Sequence, residues 1–125
     1  MILIKKLLTA ALCSTLLASS AVVARASANS RQAEQAGADL FRDKGCAYCH
    51  GAQTQGTAKG PNLQKVRKTM KAPAITGQIL NGGRKMPPFS DSLTNDEVSQ
   101  LVAWLRAKHR PEPTPKPPAP PASNP

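Results

Sequence analysis

Residues 45–50 read Gly-Cys-Ala-Tyr-Cys-His. Two thiols stand three positions apart, with an imidazole directly behind the second. Three chemistries use such a set. A structural zinc site takes four ligands, usually in two pairs. Cys46, Cys49 and His50 supply three, and the other histidine, His109, falls at the end of a helical pattern, where a cation suits the helix dipole. A redox dithiol of the thioredoxin kind wants its pair after a strand, at the start of a helix. Here a helical pattern precedes the pair and no stretch reads as a strand. In a C-x-x-C-H motif the two thiols add to the vinyl groups of a haem, and the adjacent imidazole ligates its iron.

The N-terminus bears on that choice. Lys5 and Lys6 precede eighteen uncharged residues, 7–24, which Ala24-Arg25-Ala26 follows. This is the pattern of a secretory signal peptide, with cleavage expected after Ala26 or Ala28. The rival is an uncleaved anchor that holds the protein at the membrane, facing the periplasm. Cys13 belongs to the signal core, since Leu12 before it is too large for a lipoprotein processing site. The mature chain then keeps Cys46 and Cys49, which in an oxidising compartment would pair as a disulfide unless engaged otherwise. Thioether bonds to haem c remove that conflict. They also staple a domain of fewer than about 80 foldable residues, a size that rarely holds together on its own core.

The elements must place these groups. Residues 31–44 carry Ala33, Ala36, Gly37, Leu40 and Phe41 at helical spacing, and Gly45 is a stop signal. Residues 51–62 read as loop, 63–71 as a basic and partly helical segment, and 73–80 as a short helix with Ile75, Ile79 and Leu80 inward. Residues 84–92 are loop, because Pro87-Pro88 cannot sit inside a helix. The last helix opens on Thr94-Asn95-Asp96-Glu97, a capping box. Val98, Leu101, Val102 and Leu105 follow at i, i+3, i+4 and i+7, and Pro111 ends the pattern. Residues 111–125 hold eight prolines in fifteen positions, a composition for a solvated, disordered tail. The expected organisation is a signal peptide (1–26), one domain (27–110) and a Pro-rich tail (111–125).

An iron held by His50 has a second face. Met70 lies in a basic stretch, whereas Met86 lies on a Pro-backed loop that can reach across a flat ring from the opposite side. Met86 is therefore the favoured second ligand, and a thioether there raises the potential.

These motifs together resemble the class I c-type cytochromes, in the style of the small bacterial and soluble photosynthetic monohaem members, over about residues 31–110. Cys46-Ala47-Tyr48-Cys49-His50 matches the haem-binding motif, Gly60-Pro61-Asn62-Leu63 the Gly-Pro-x-Leu segment, and Met86-Pro87 the sixth-ligand loop. The resemblance implies an all-α fold of three to five helices around one covalently bound haem c. It also implies that the Pro61 carbonyl accepts a hydrogen bond from the His50 ring. Gly37 and Phe41 match first-helix positions that cross the last helix at Leu101 and Trp104.

The implied function is a periplasmic carrier of single electrons, not an enzyme. Two alternatives stand beside it: the electron-transfer subunit of a periplasmic dehydrogenase or oxidase, and, if Met86 does not bind, a five-coordinate haem sensor or peroxidase. A two-haem peroxidase is disfavoured by the single C-x-x-C-H. The formal charge is +10 over 125 residues, and 14 basic against 7 acidic residues remain once Lys5, Lys6 and Arg25 are removed. Lys65, Arg67, Lys68, Lys71, Arg84 and Lys85 read as one basic patch for redox partners with acidic docking surfaces. Nucleic acid is disfavoured by the near absence of aromatic residues.

Overall fold

The computed structural model describes residues 25–116. The expected signal peptide, up to residue 24, and the expected tail, from residue 117, lie outside the described residues. The chain divides into two units, residues 1–32 and 33–125. Of the first, residues 25–32 are helical and exposed.

The second unit holds five helical segments and, among the described residues, no strand: α1 (residues 33–43), α2 (Cys46–His50), α3 (Val66–Thr69), α4 (Ala72–Asn81) and α5 (Asn95–Arg106). The expected all-α class holds. Gly45 separates α1 from α2 with φ 79, a left-handed conformation in which a Cβ would be strained. The chain therefore turns sharply just before Cys46.

α5 is the central element, packed against α3 and α4. Its apolar stripe is buried as the spacing predicts, with Leu101 at 2 % exposure. α1 meets it where Gly37 lies against the Gln100 backbone and the Trp104 Cβ. One turn along α1, the rings of Phe41 and Trp104 stack tilted at 47°, with centroids 4.8 Å apart. Glycine is needed at the crossing because the backbones approach too closely for any side chain between them.

The capping box of α5 is complete. The Glu97 amide donates to Thr94 Oγ1 (3.2 Å), and the Thr94 amide donates to Glu97 Oε2 (2.8 Å). Thr94→Ala removes one partner of a helix-start amide and is expected to cost about 1 kcal/mol, read as a lower urea midpoint at unchanged slope. The Thr94 amide, with Lys44 beside it at 3.0 Å, holds the Glu97 carboxyl below its ordinary value. The contribution of that carboxylate is present above its unfolded pKa and lost as pH falls through the lowered one.

Two C-terminal expectations are corrected. α5 ends at Arg106 rather than running to Pro111, with Ala107 already extended at ψ 144. The chain leaves the helix early because the Arg110 guanidinium turns back onto the fold, donating to Thr54 Oγ1 (2.7 Å), Leu63 O (2.9 Å) and Leu105 O (3.1 Å). Nor do residues 111–116 hang free, although most of them are exposed. Trp104 Nε1 donates to Pro111 O (2.8 Å), and Gln35 donates to Glu112 O (2.9 Å). Asp39 accepts from both the amide and the hydroxyl of Thr114. Three buried or helix-borne partners outweigh a composition that, alone, favours solvation.

Candidate functional site

α2 is a five-residue helix with no side-chain cap, too short to persist on its own backbone bonds. Its neighbours hold it. It carries Cys46, Cys49 and His50 on one turn, so that all three line a cavity of about 610 Å³. Ile75, Gln78 and Ile79 of α4 and the loop after it, with Met86, also line the cavity. The rest is mostly apolar, with Phe41, Leu63, Leu101 and Leu105 contributing. A largely apolar cleft of some 300–1,000 Å³ with a few convergent polar groups is the usual form of a cofactor site.

His50 is 8 % exposed and its Nδ1 lies 2.9 Å from Pro61 O. A carbonyl only accepts, so Nδ1 carries the proton and Nε2 keeps its lone pair for a metal. Cys46 and Cys49 are both free thiols. Burial pushes the Cys46 thiol up, keeping it neutral. Among the described residues no three His, Cys, Asp or Glu side chains cluster to hold a metal ion, and His109 is exposed. An iron that brings its own ring nitrogens needs only axial donors from the chain. The donor set and the apolar walls fit a haem.

Met86 is fixed through its backbone, the Gly83 amide donating to Met86 O (2.8 Å). Its sulfur faces the side chain of Gln78, whose Nε2 is 3.9 Å from Sδ. Met70 lines the same cavity and is held by Arg106, which donates to its carbonyl at 2.6 Å. Both methionines therefore border the site.

The basic patch read from the sequence is not one patch. Arg84 and Lys85 border the haem-type cavity, together with Lys44 and Lys59, and no carboxylate lines it. Lys65, Arg67 and Lys68 line a different groove, and Lys71 lines neither. Lys59 lies 3.5 Å above the ring of Tyr48, which is 71 % exposed between the two cysteines.

Sequence reasoning missed three residues. Gln78 sits one helical turn from Met86's loop, and nothing local marks it. Thr54 is 1 % exposed at φ 58, a strained conformation for a β-branched residue, held by the Gly51 carbonyl, the Leu63 amide and Arg110. Arg110, four residues past the end of α5, carries no local signal of its role. Its partners lie 47 and 56 residues away, at Leu63 and Thr54.

A helical fold around an apolar cavity lined by a C-x-x-C-H turn and two methionines is that of a small c-type cytochrome. Residues 32–105 match the family described as cytochrome c oxidase, cbb3-type, subunit III, and the chain belongs to that family. Cytochrome c6 of Bryopsis maxima is 37 % identical over 75 residues, which are 55 % of this chain and 84 % of that protein. Cytochrome c-555 of Methylococcus capsulatus is 35 % identical over 78 residues, 62 % of this chain and 63 % of that one. The solved c-type cytochrome XoxG of Methylobacterium extorquens AM1 shares the fold, with a TM-score of 0.54 at 23 % identity over 68 % of this chain and 60 % of that chain. The cofactor of these proteins is haem c, and the chain is an electron-carrying cytochrome rather than an enzyme.

Proposed function

We propose that the protein is a periplasmic monohaem carrier in which Cys46 and Cys49 bind the haem as thioethers and His50 and Met86 are the axial ligands. One observation carries this reading: both cysteines, His50 and Met86 line one apolar cavity, and the proton of His50 is fixed on Nδ1 by Pro61. Haem c supplies a one-electron iron couple when bound. The chain's part is to hold donors on both faces, so that little rearranges when the charge changes. Apolar side chains from α4 and α5 keep water out. Gln78 donates toward the Met86 sulfur and steadies the loop that presents it. Lys44, Lys59, Arg84 and Lys85 form a cationic rim that suits a partner with acidic docking surfaces and predicts association that slows with salt. The signal-peptide pattern of residues 1–26 supports the periplasmic assignment. Among the described residues no helix is long and apolar enough to cross a membrane.

The test is a visible spectrum of the reduced protein with and without carbon monoxide. The wild type and Met70→Ala are expected to stay low-spin and ignore the gas, while Met86→Ala binds it. If the wild type binds carbon monoxide, the iron is five-coordinate and the carrier reading gives way to a sensor or peroxidase. If Met70→Ala alone opens the site, the ligand assignment moves to Met70.

The family description also favours a second reading, a haem subunit that works within a larger oxidoreductase. Co-purification with a larger subunit from native membranes or periplasm distinguishes it from a free carrier.

A further inference from the structure

A second groove, of about 930 Å³, runs between α3, the end of α5 and the extended residues 112–116. Seven cationic side chains line it against one carboxylate, Glu112. Arg42 is neutralised by Asp39 and Asp43, and Lys116 lies near enough to Asp43 to stabilise that carboxylate. Lys65, Arg67, Lys68, Lys108 and Arg110 have no carboxylate partner among the described residues.

We propose that this groove binds a compact, multivalent oxyanion of the polyphosphate class, centred on Arg67, Lys108 and Arg110. The anchor is Arg110. Its guanidinium is fixed by Thr54, Leu63 and Leu105 and lies 5.6 Å from the Trp104 ring centroid. Its acceptors are a hydroxyl and carbonyls, which fix its position and leave its charge uncompensated. A guanidinium already immobilised loses little entropy when an anion arrives, and its fixed positive charge attracts that anion while the exposed Arg67 and Lys108 supply the contacts. Burial, with Arg67 beside it, lowers the Arg110 pKa, as expected where positive charge is concentrated and unneutralised. Gln53 and Gln64 also line the groove and place neutral amide donors around the same space.

Other anions fit less well. An acidic peptide would pair its backbone along the extended wall, but Pro111, Pro113 and Pro115 have no amide proton, and the Thr114 amide is given to Asp39. Nucleic acid wants exposed rings to stack on, and the groove's aromatics, Phe41 and Trp104, are 2 % and 3 % exposed.

The experiment is calorimetric titration of the full-length holoprotein with inorganic tripolyphosphate at fixed ionic strength. One saturable site is expected. Arg110 is tied into the fold, so the informative variant is Arg67→Gln with Lys108→Gln, both exposed. It should bind about tenfold more weakly, the loss of a charge-assisted contact. Arg84→Gln with Lys85→Gln, which removes the same charge from the haem rim, should bind as the wild type does. Equal weakening in both pairs would reduce the site to diffuse charge and overturn the proposal. So would the lack of saturable binding, or tighter binding of hexaglutamate than of tripolyphosphate.

Discussion

Replacing Cys46 and Cys49 together by serine leaves a chain that does not fold cooperatively. The space that the two thiols border is about 610 Å³. At about 24 cal/mol per Å³ of residual cavity, leaving it unfilled costs at most on the order of 15 kcal/mol, an upper bound because the cleft is open to solvent. That bound equals the entire stability of a typical domain, about 5–15 kcal/mol. The surrounding elements cannot absorb such a loss. α2 and α3 have five and four residues, and neither has a side-chain cap. Isolated helices of that length do not persist in water. α5 packs directly against α3 and α4, but Ile75 and Ile79 of α4 and Leu101 and Leu105 of α5 also wall the cavity, so these contacts too depend on its occupant. The double-serine chain, purified without added haem, should show weak far-ultraviolet dichroism and no sigmoidal urea transition, while the wild-type holoprotein shows both. A cooperative transition at the wild-type midpoint in the serine chain would mean that the helices hold each other without the tethered cofactor.

What the sequence made legible is what neighbours in the chain decide. The capping box at Thr94 and Glu97 and the stripe Val98, Leu101, Val102 and Leu105 are local patterns, and they appear in the fold as read. The C-x-x-C-H turn and its facing loop are short motifs, and their residues meet at one cavity. The misreadings share a cause. Residues 65–85 are close in sequence, so their cations look like one patch. The chain turns between α3 and the loop after α4, which sends Arg67 and Lys68 to one groove and Arg84 and Lys85 to another. Arg110 and Thr54 look unremarkable alone and acquire meaning only from each other. The proline count of the tail describes its solvation in isolation. It cannot report that Asp39 and Trp104 stand ready to fix Thr114 and Pro111. The Pro-backed loop favours Met86 over Met70 in the sequence, and in the fold both border the site.

Gly37→Ala tests the crossing on which the site's back wall rests, and it is expected to destabilise the holoprotein by about 3 kcal/mol, the upper part of the usual range for overpacking. A Cβ at Gly37 would lie 2.7 Å from the Trp104 Cβ and closer still to the Gln100 carbonyl oxygen. Neither neighbour is the free end of a flexible side chain, so α1 and α5 must move apart. That separation loosens the Phe41–Trp104 stack, and Phe41 is also a wall of the haem cavity. A gain of about 1 kcal/mol from alanine's helix propensity opposes the clash but does not cancel it. Gly77→Ala isolates that propensity term. Gly77 lies within α4, and a Cβ there meets nothing nearer than 3.9 Å. It should therefore stabilise by about 0.5–1 kcal/mol. In a domain of this size the two changes correspond to a thermal midpoint lower by roughly 15 °C for Gly37→Ala and higher by a few degrees for Gly77→Ala. Equal shifts in the two variants would mean that the helices do not cross at Gly37, and that its glycine is a matter of propensity alone.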